Sequence, residues 1–321
     1  MLELFKKRNF SLFWFGEMIS VIGDQISLIA FPWLILQMTN SAALTGLVFA
    51  VQGIPRAVLM LAGGALVDRT SPRLMMIISN ALRLLLVFSL AYMISQDTAD
   101  ISIVFIMAFA FGVADAFFYP ASISILPSLV SRDELQAGNA IIQTTLHLGM
   151  TIGPFVAAFI IAGEIGSAAQ SAELVVSDSV LSAYDLDREG LARAFFIDGL
   201  TFALSLLSLL FVNVRKLNVE DETSSESSLF KEIRQASLWA WSIPAVRLGF
   251  IGMAVIHFFF MPMVFVGIPV WAKLHYVDGA YVYGVVTAAF GFGAFVGAIG
   301  SAYIQVPGDQ KLIPGMFWAY V

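Results

Sequence analysis

The sequence predicts an all-α polytopic membrane protein, and three observations carry that prediction. Hydrophobic residues make up 59% of the 321 positions and charged residues only 12%, with 28 Phe and 6 Trp. At a mean hydropathy of +0.86, the chain lies far outside the range of soluble globular domains. Apolar runs long enough to cross a hydrocarbon core of about 30 Å, which takes about 20 residues of helix, recur along the whole chain. The third observation is the loops between these runs, which alternate between basic and neutral or acidic.

Spans are expected at 12–37, 44–67, 73–95, 101–126, 140–162, 192–213, 245–272 and 280–304, with a ninth beginning near 312. A large soluble helical protein would bury shorter, amphipathic helices instead. The first run follows Lys6, Lys7 and Arg8, as the apolar stretch of a secretory leader would. It is too long for a leader and carries Glu17 and Asp24, so it reads as a mature span.

Most bases before the seventh run fall on one side. They are Lys6, Lys7 and Arg8, then Arg69 and Arg73, then Arg132, then Arg215, Lys216, Lys231 and Arg234. The intervening loops "QMTNSAA" and "SQDTAD" are neutral or acidic, and 163–190 carries Glu164, Glu173, Asp178, Asp185, Asp187 and Glu189. The positive-inside rule therefore puts the N-terminus in the cytoplasm. The acidic, serine-rich stretch "EDETSSESS" at 220–228 separates six runs from the rest. The expected organisation is a six-span bundle over 1–213, a cytoplasmic linker over 214–243 and a further, incomplete bundle over 244–321. Within the linker, "SLFKEIRQASLWAWS" has the spacing of an interfacial amphipathic helix. A weak internal similarity at one offset pairs Trp33 with Trp271, Leu36 with Leu274, Gly46 with Gly284 and Gly53 with Gly291, as parallel repeats in transporters do.

Several function classes are excluded or disfavoured. With no cysteine there is no disulfide framework and no thiolate chemistry. No His, Asp and Glu cluster has metal-ligand spacing, and no phosphate-binding loop is present, which disfavours ATP-driven transport by this chain. No nucleophile–base constellation suggests an enzyme. No cofactor and no nucleic-acid partner is expected. The formal charge of −6 says little, because a membrane protein sorts its charges by side.

Ionisable side chains at membrane depth are costly and point to function. Asp24 lies near the middle of the first span, and Glu17 precedes it by seven residues. That spacing returns to nearly the same helix face about 10 Å along the axis. A carboxyl there can gain and lose a proton as its surroundings change. Arg56 in the second span matches Asp24 in depth, so an Asp24–Arg56 ion pair is expected. Arg83 in the third span and Asp115 in the fourth form a second expected pair, for which structural pairing that fixes packing is the favoured reading over a change during transport. His147 and His257 are expected as packed, hydrogen-bonded core histidines. Gly284, Gly291, Gly293, Gly297 and Gly300 suit small-residue helix packing in span eight.

The stretch "GGALVDRTSPRL" places Gly64, Asp68, Arg69 and Arg73 between spans two and three. Gly64 would permit close helix approach, and the charges could form a cytoplasmic latch. These residues resemble the signature loop of the major facilitator superfamily of secondary transporters. Ser71 stands where that signature has glycine, and Pro72 where it has a base. "HLGMTIGPFVAA" resembles the family's antiporter motif in Gly149, Gly153 and Pro154, with Ala157 and Ala158 replacing later glycines. "FGVADAFFYPA", "LPSLVSRDELQAGNA" and "AFFIDGLTFALS" look like the bacterial drug-efflux branch, which includes macrolide and enterobactin exporters. The family's span-four arginine is replaced by Ala108.

The resemblance implies a major-facilitator-type helical bundle in the bacterial cytoplasmic membrane. It implies twelve spans in two halves, so the sequence is expected to be a piece of a protein of roughly 400 residues. The implied function is proton-coupled efflux of lipophilic drugs or metabolites, with a small-molecule substrate, protons and the lipid bilayer as partners and a monomer as the working unit. Asp24, Glu17, Arg56, Arg83 and Asp115 are the expected coupling residues, and Gly64, Asp68, Arg69 and Arg73 the cytoplasmic gate. Proton symport of a small solute and a non-transporting membrane sensor are the alternatives.

Overall fold

Helices alone organise the described part of the chain. The structure, a computed structural model, describes residues 2–162, 180–214, 238–239, 241–276 and 279–301. The side chains of Asp68, Arg69 and Gly300 lie outside the described residues, as do 163–179, most of the expected linker and the expected ninth span. The helices are α1 (Arg8–Thr39), α2 (Ala42–Arg69), α3 (Pro72–Ser95), α4 (Ile101–Ser124), α5 (Leu126–Leu129), α6 (Leu135–Ala162), α7 (Val180–Phe211), α8 (Pro244–Pro262), α9 (Ile268–His275) and α10 (Gly279–Ser301). Seven helices among the described residues are long and apolar enough to cross a membrane, and α10 contributes a shorter apolar stretch, Gly279–Ala294.

Local chemistry sets the boundaries. Asn40 ends α1 in the left-handed conformation at φ 51°, and its N–H donates to the Leu36 carbonyl, the arrangement an αL cap requires. Ser41 then caps α2 by accepting from the Leu44 N–H, and Asp100 caps α4 by accepting from Ile103 N–H at 2.9 Å. The turn between α2 and α3 is only Thr70 and Ser71, because Pro72 occupies the first turn of α3. Proline's missing N–H is harmless there. Ser131 and Glu134 form a capping box at the turn leading into α6. The expected seventh span is one rod made of α8, a π-helical turn Met263–Gly267 and α9. Pro262 sits at the joint, where its missing donor opens the ladder that the wide turn then closes.

Outward-facing residues are strongly apolar: Ile54, Leu85, Ile106, Phe258 and Phe259 are all more than 60% exposed. A face of that kind is stable against lipid and not against water. The interior is layered. One apolar cluster gathers Ile26–Leu36 of α1 with Val87–Ile94, Val104–Phe111 and Leu191–Phe202. A second gathers Phe10, Phe13, Val67, Met76, Phe118–Val130 and Leu209 at the other end of the same helices. Between the two lies a polar layer.

Glycines set how closely the helices approach. A Cβ on Gly63 would strike the Ala116 carbonyl, and one on Gly112 the Gln52 carbonyl, so α2 and α4 touch backbone to backbone. Gly64, expected to be the close-approach residue of the loop motif, instead faces open space. The helix turn places Gly63 and not Gly64 on the α4 side. Gly149 and Gly153 press α6 onto Val21 and Gln25 of α1, while Gly284 and Gly291 press α10 onto Ala158 and Met150 of α6. A Cβ on Gly293 or Gly297 would meet nothing within 4 Å, so among the described glycines of the expected stripe in span eight only Gly284 and Gly291 make close contacts.

Candidate functional site: a buried charge layer

The polar layer is built from α1, α2, α3, α4 and α7, and Arg83 stands at its centre. Arg83 is fully buried. One guanidinium nitrogen donates to Asp24 Oδ1 at 3.0 Å and to Asp115 Oδ1 at 3.2 Å, and the other donates to Asn80 Oδ1. Asn80 in turn donates to Ser205 Oγ on α7 at 2.9 Å. The guanidinium plane is held between two rings, 3.9 Å from the Phe118 centroid and 4.5 Å from that of Phe202. Delocalised and weakly hydrated, a guanidinium tolerates such a sandwich where an ammonium would not. Its Nε has no partner.

The expected pairing is therefore revised. Arg83 and Asp115 pair as expected, but the Asp24–Arg56 pair does not form. Asp24 goes to Arg83, and Arg56 reaches Asp115 Oδ2 at 3.6 Å. Matching depth along two neighbouring helices placed Arg56 opposite Asp24, but α2 packs against α4, which turns Arg56 toward Asp115 and the Tyr119 ring. Arg56 is also half-exposed, so its ion pair is the weaker one.

Glu17 is buried on the same α1 face as Asp24, as expected, and its Oε2 has no hydrogen-bond partner. Arg73 meets the end of α7. Its Nε and a terminal nitrogen donate to the carbonyls of Leu209 and Leu210 at 2.8 Å each, closing orphan carbonyls at the end of α7. The roles expected of Asp68 and Arg69 rest on side chains outside the described residues. His147 and His257 are exposed rather than packed in a core. His257 Nδ1 contacts the Met253 carbonyl at 2.9 Å.

One buried acid escaped the reading of the sequence. Asp198 on α7 is 0% exposed; its carboxyl accepts from Ser27 Oγ, and its Oδ1 lies 3.3 Å from Thr201 Oγ1. The signal was in "AFFIDGLTFALS", where a single aspartate stands in an apolar run just as Asp24 does. The layer thus holds four acids, Glu17, Asp24, Asp115 and Asp198, against two guanidiniums. Among the described residues no group of His, Cys, Asp and Glu could hold a metal ion.

Comparison with known proteins bears on what such a layer does. The family model of the Major Facilitator Superfamily matches residues 13–317. The multidrug efflux pump Tap of Mycobacterium tuberculosis is 24% identical over 299 residues, covering 91% of this chain. Tap of Mycolicibacterium fortuitum is 30% identical over 166 residues, covering 49% of this chain and 40% of the relative. The chain spans 64% of the length of the mycobacterial Tap proteins it matches. Among solved structures, a bacterial homologue of the human lysosomal transporter Spinster, in an inward-facing and unoccupied conformation, superposes with a TM-score of 0.59 at 14% identity. That match covers 97% of this chain and 70% of the other, and shows a shared fold.

Proposed function

From the premise that this chain belongs to the Major Facilitator Superfamily, we propose that it works in a proton-coupled exporter of lipophilic compounds, with its N-terminus in the cytoplasm. The observation that carries the reading is the charge layer. Arg83 is shared between Asp24 and Asp115, and acids outnumber guanidiniums between two apolar clusters. An enzyme needs reacting groups around a substrate, whereas this layer offers exchangeable protons inside a bundle of membrane helices.

The mechanism follows from the geometry. With Asp24 ionised, Arg83 ties α1 to α3 and α4. When Asp24 takes a proton, that tie is reduced to a neutral hydrogen bond, and Arg83 is held by Asp115 and Asn80. α1 is then free to shift relative to α3, which couples proton occupancy to the conformation of the bundle. The proton leaves on the other side, and Asp24 closes on Arg83 again. Export as the direction, and drugs as the substrate, are supported by the multidrug efflux named for the Tap relatives, and export also by the antiporter-like Gly149, Gly153 and Pro154.

The test is transport by the full-length protein in everted membrane vesicles, with ethidium as probe. An imposed pH gradient should drive ethidium accumulation that a protonophore abolishes. Vesicles indistinguishable from those of the empty host, across ethidium and a panel of other lipophilic drugs, would remove the reading.

A further inference from the structure

We propose that Asp198 is a second proton-holding residue of this layer, exchanging its proton with Asp24 by way of the Ser27 hydroxyl across the seam between α1 and α7. The proposal rests on the transport reading above only for its consequence, not for its geometry.

The first support is a hydrogen inventory. A serine or threonine hydroxyl has one hydrogen to give and lone pairs to receive. Ser27 directs its hydrogen to Asp198 Oδ2. Thr201 Oγ1 lies 2.7 Å from the Asp198 main-chain carbonyl and 3.3 Å from Asp198 Oδ1. Its hydrogen belongs to the nearer carbonyl, which leaves Oδ1 facing an oxygen with no hydrogen to offer. Two acceptors face to face are satisfied when one carries a proton, so Oδ1–H donating to Thr201 Oγ1 completes the set. A fully buried carboxyl left with an unmatched oxygen would be costly.

The second support is the charges around it. Among the described residues Asp198 has no ion pair. The ionisable groups that face it are Asp24 from α1 and Arg83 from α3, with Glu17 farther along α1. Arg83 is already committed to Asp24, Asp115 and Asn80. From α6, which also packs on α7, no charge faces it, and His147 there is exposed.

The third support is the path. Gly23, next to Asp24, lies so close to α7 that a Cβ would strike Thr201 Oγ1 and Asp198 Oδ1. Ser27 follows Asp24 by three residues on one face of α1, the spacing at which side chains are neighbours. That face reads Phe13, Glu17, Ser20, Asp24, Ser27, Phe31, a polar row about 15 Å long closed at each end by a buried phenylalanine. Within the row Glu17 Oε2 and Ser20 Oγ are buried without partners. For transfer, the carboxyl turns so that its proton lies on the oxygen facing Ser27, and the Ser27 hydroxyl swings its hydrogen from Asp198 toward Asp24. The Asp198 carboxyl then gives its proton to the Ser27 oxygen while the Ser27 hydroxyl proton passes to the Asp24 carboxylate. One O–H breaks and one forms at each step, and rotation of the hydroxyl resets it.

The experiment is pH-difference infrared spectroscopy on the full-length protein in liposomes, followed by transport. The wild type should show a protonated-carboxyl C=O band that shifts in D2O. Asp198→Asn, which still accepts from Ser27, should remove that band. Asp24→Asn should move the pH at which it titrates. In vesicles Asp198→Asn should lower gradient-driven ethidium uptake by about tenfold or more while leaving gradient-free ethidium exchange nearly unchanged, and Asp198→Glu should restore the driven uptake. An unchanged band in Asp198→Asn would overturn the proposal. So would a band whose titration ignores Asp24→Asn, or a parallel loss of driven uptake and exchange, which marks a packing residue. A wild type with no proton-driven ethidium uptake would instead count against the transport reading, and the infrared result would stand on its own.

Discussion

Arg83 is the residue on which the layer depends. Removing it would leave Asp24 and Asp115 buried without their shared cation, and breaking a buried pair from one side costs about 3–5 kcal/mol. Arg83→Gln should therefore lower thermal stability in detergent and abolish transport together. Arg83→Lys should fail as well, because an ammonium neither forks between two carboxylates nor stacks between Phe118 and Phe202. Wild-type melting and transport in the lysine variant would show that only the charge is needed. The pairing itself can be ranked by double-mutant cycles on melting. Arg83 and Asp24 should couple strongly. Arg56 and Asp115, with Arg56 half-exposed and 3.6 Å away, should couple by less than about 1 kcal/mol. Stronger coupling of Arg56 to Asp24 than to Asp115 would contradict the observed geometry.

Among elements, the α2–α4 contact makes the clearest prediction, because it pairs a forbidden position with a permitted one. Gly112→Ala would drive a methyl into the Gln52 carbonyl, a backbone atom that cannot swing aside. It should destabilise by about 1–3 kcal/mol. Gly64→Ala meets open space and should be neutral or gain up to about 1 kcal/mol by stiffening the helix. Thermal unfolding of the two variants side by side decides it, and equal melting temperatures would refute the assigned contact. Arg73 belongs to this scale too. Because it closes carbonyls at the end of α7, Arg73→Ala should speed amide hydrogen exchange in the last turn of α7, a readout that a latch acting elsewhere would not move.

Taken whole, the molecule places its charges between two apolar clusters at the two ends of the same helices. The absence of cysteine from the sequence makes sidedness directly testable with single-cysteine variants and a membrane-impermeant maleimide. Gln96 lies beyond α3 and Asp133 ahead of α6, and both are exposed. With a cytoplasmic N-terminus, Gln96→Cys should label in intact cells and Asp133→Cys only after permeabilisation. The reverse pattern would invert the topology.

Most of the architecture was legible in the sequence because lipid imposes a blunt rule. A span needs about 20 apolar residues of helix, and seven helices among the described residues meet it. The cost of a charge in that setting likewise singled out Glu17, Asp24, Arg56, Arg83 and Asp115 without any structure. The same rule applied to Asp198, which stood unremarked in an otherwise apolar run. Tertiary structure decided which of these groups meet. Depth along a helix can be counted from the sequence, but the direction a residue faces depends on which helices are neighbours. The pairing of α2 with α4, set by the bare backbones at Gly63 and Gly112, turned Arg56 to Asp115 and left Asp24 to Arg83. The close seam at Gly23 brought Asp198 into the same layer.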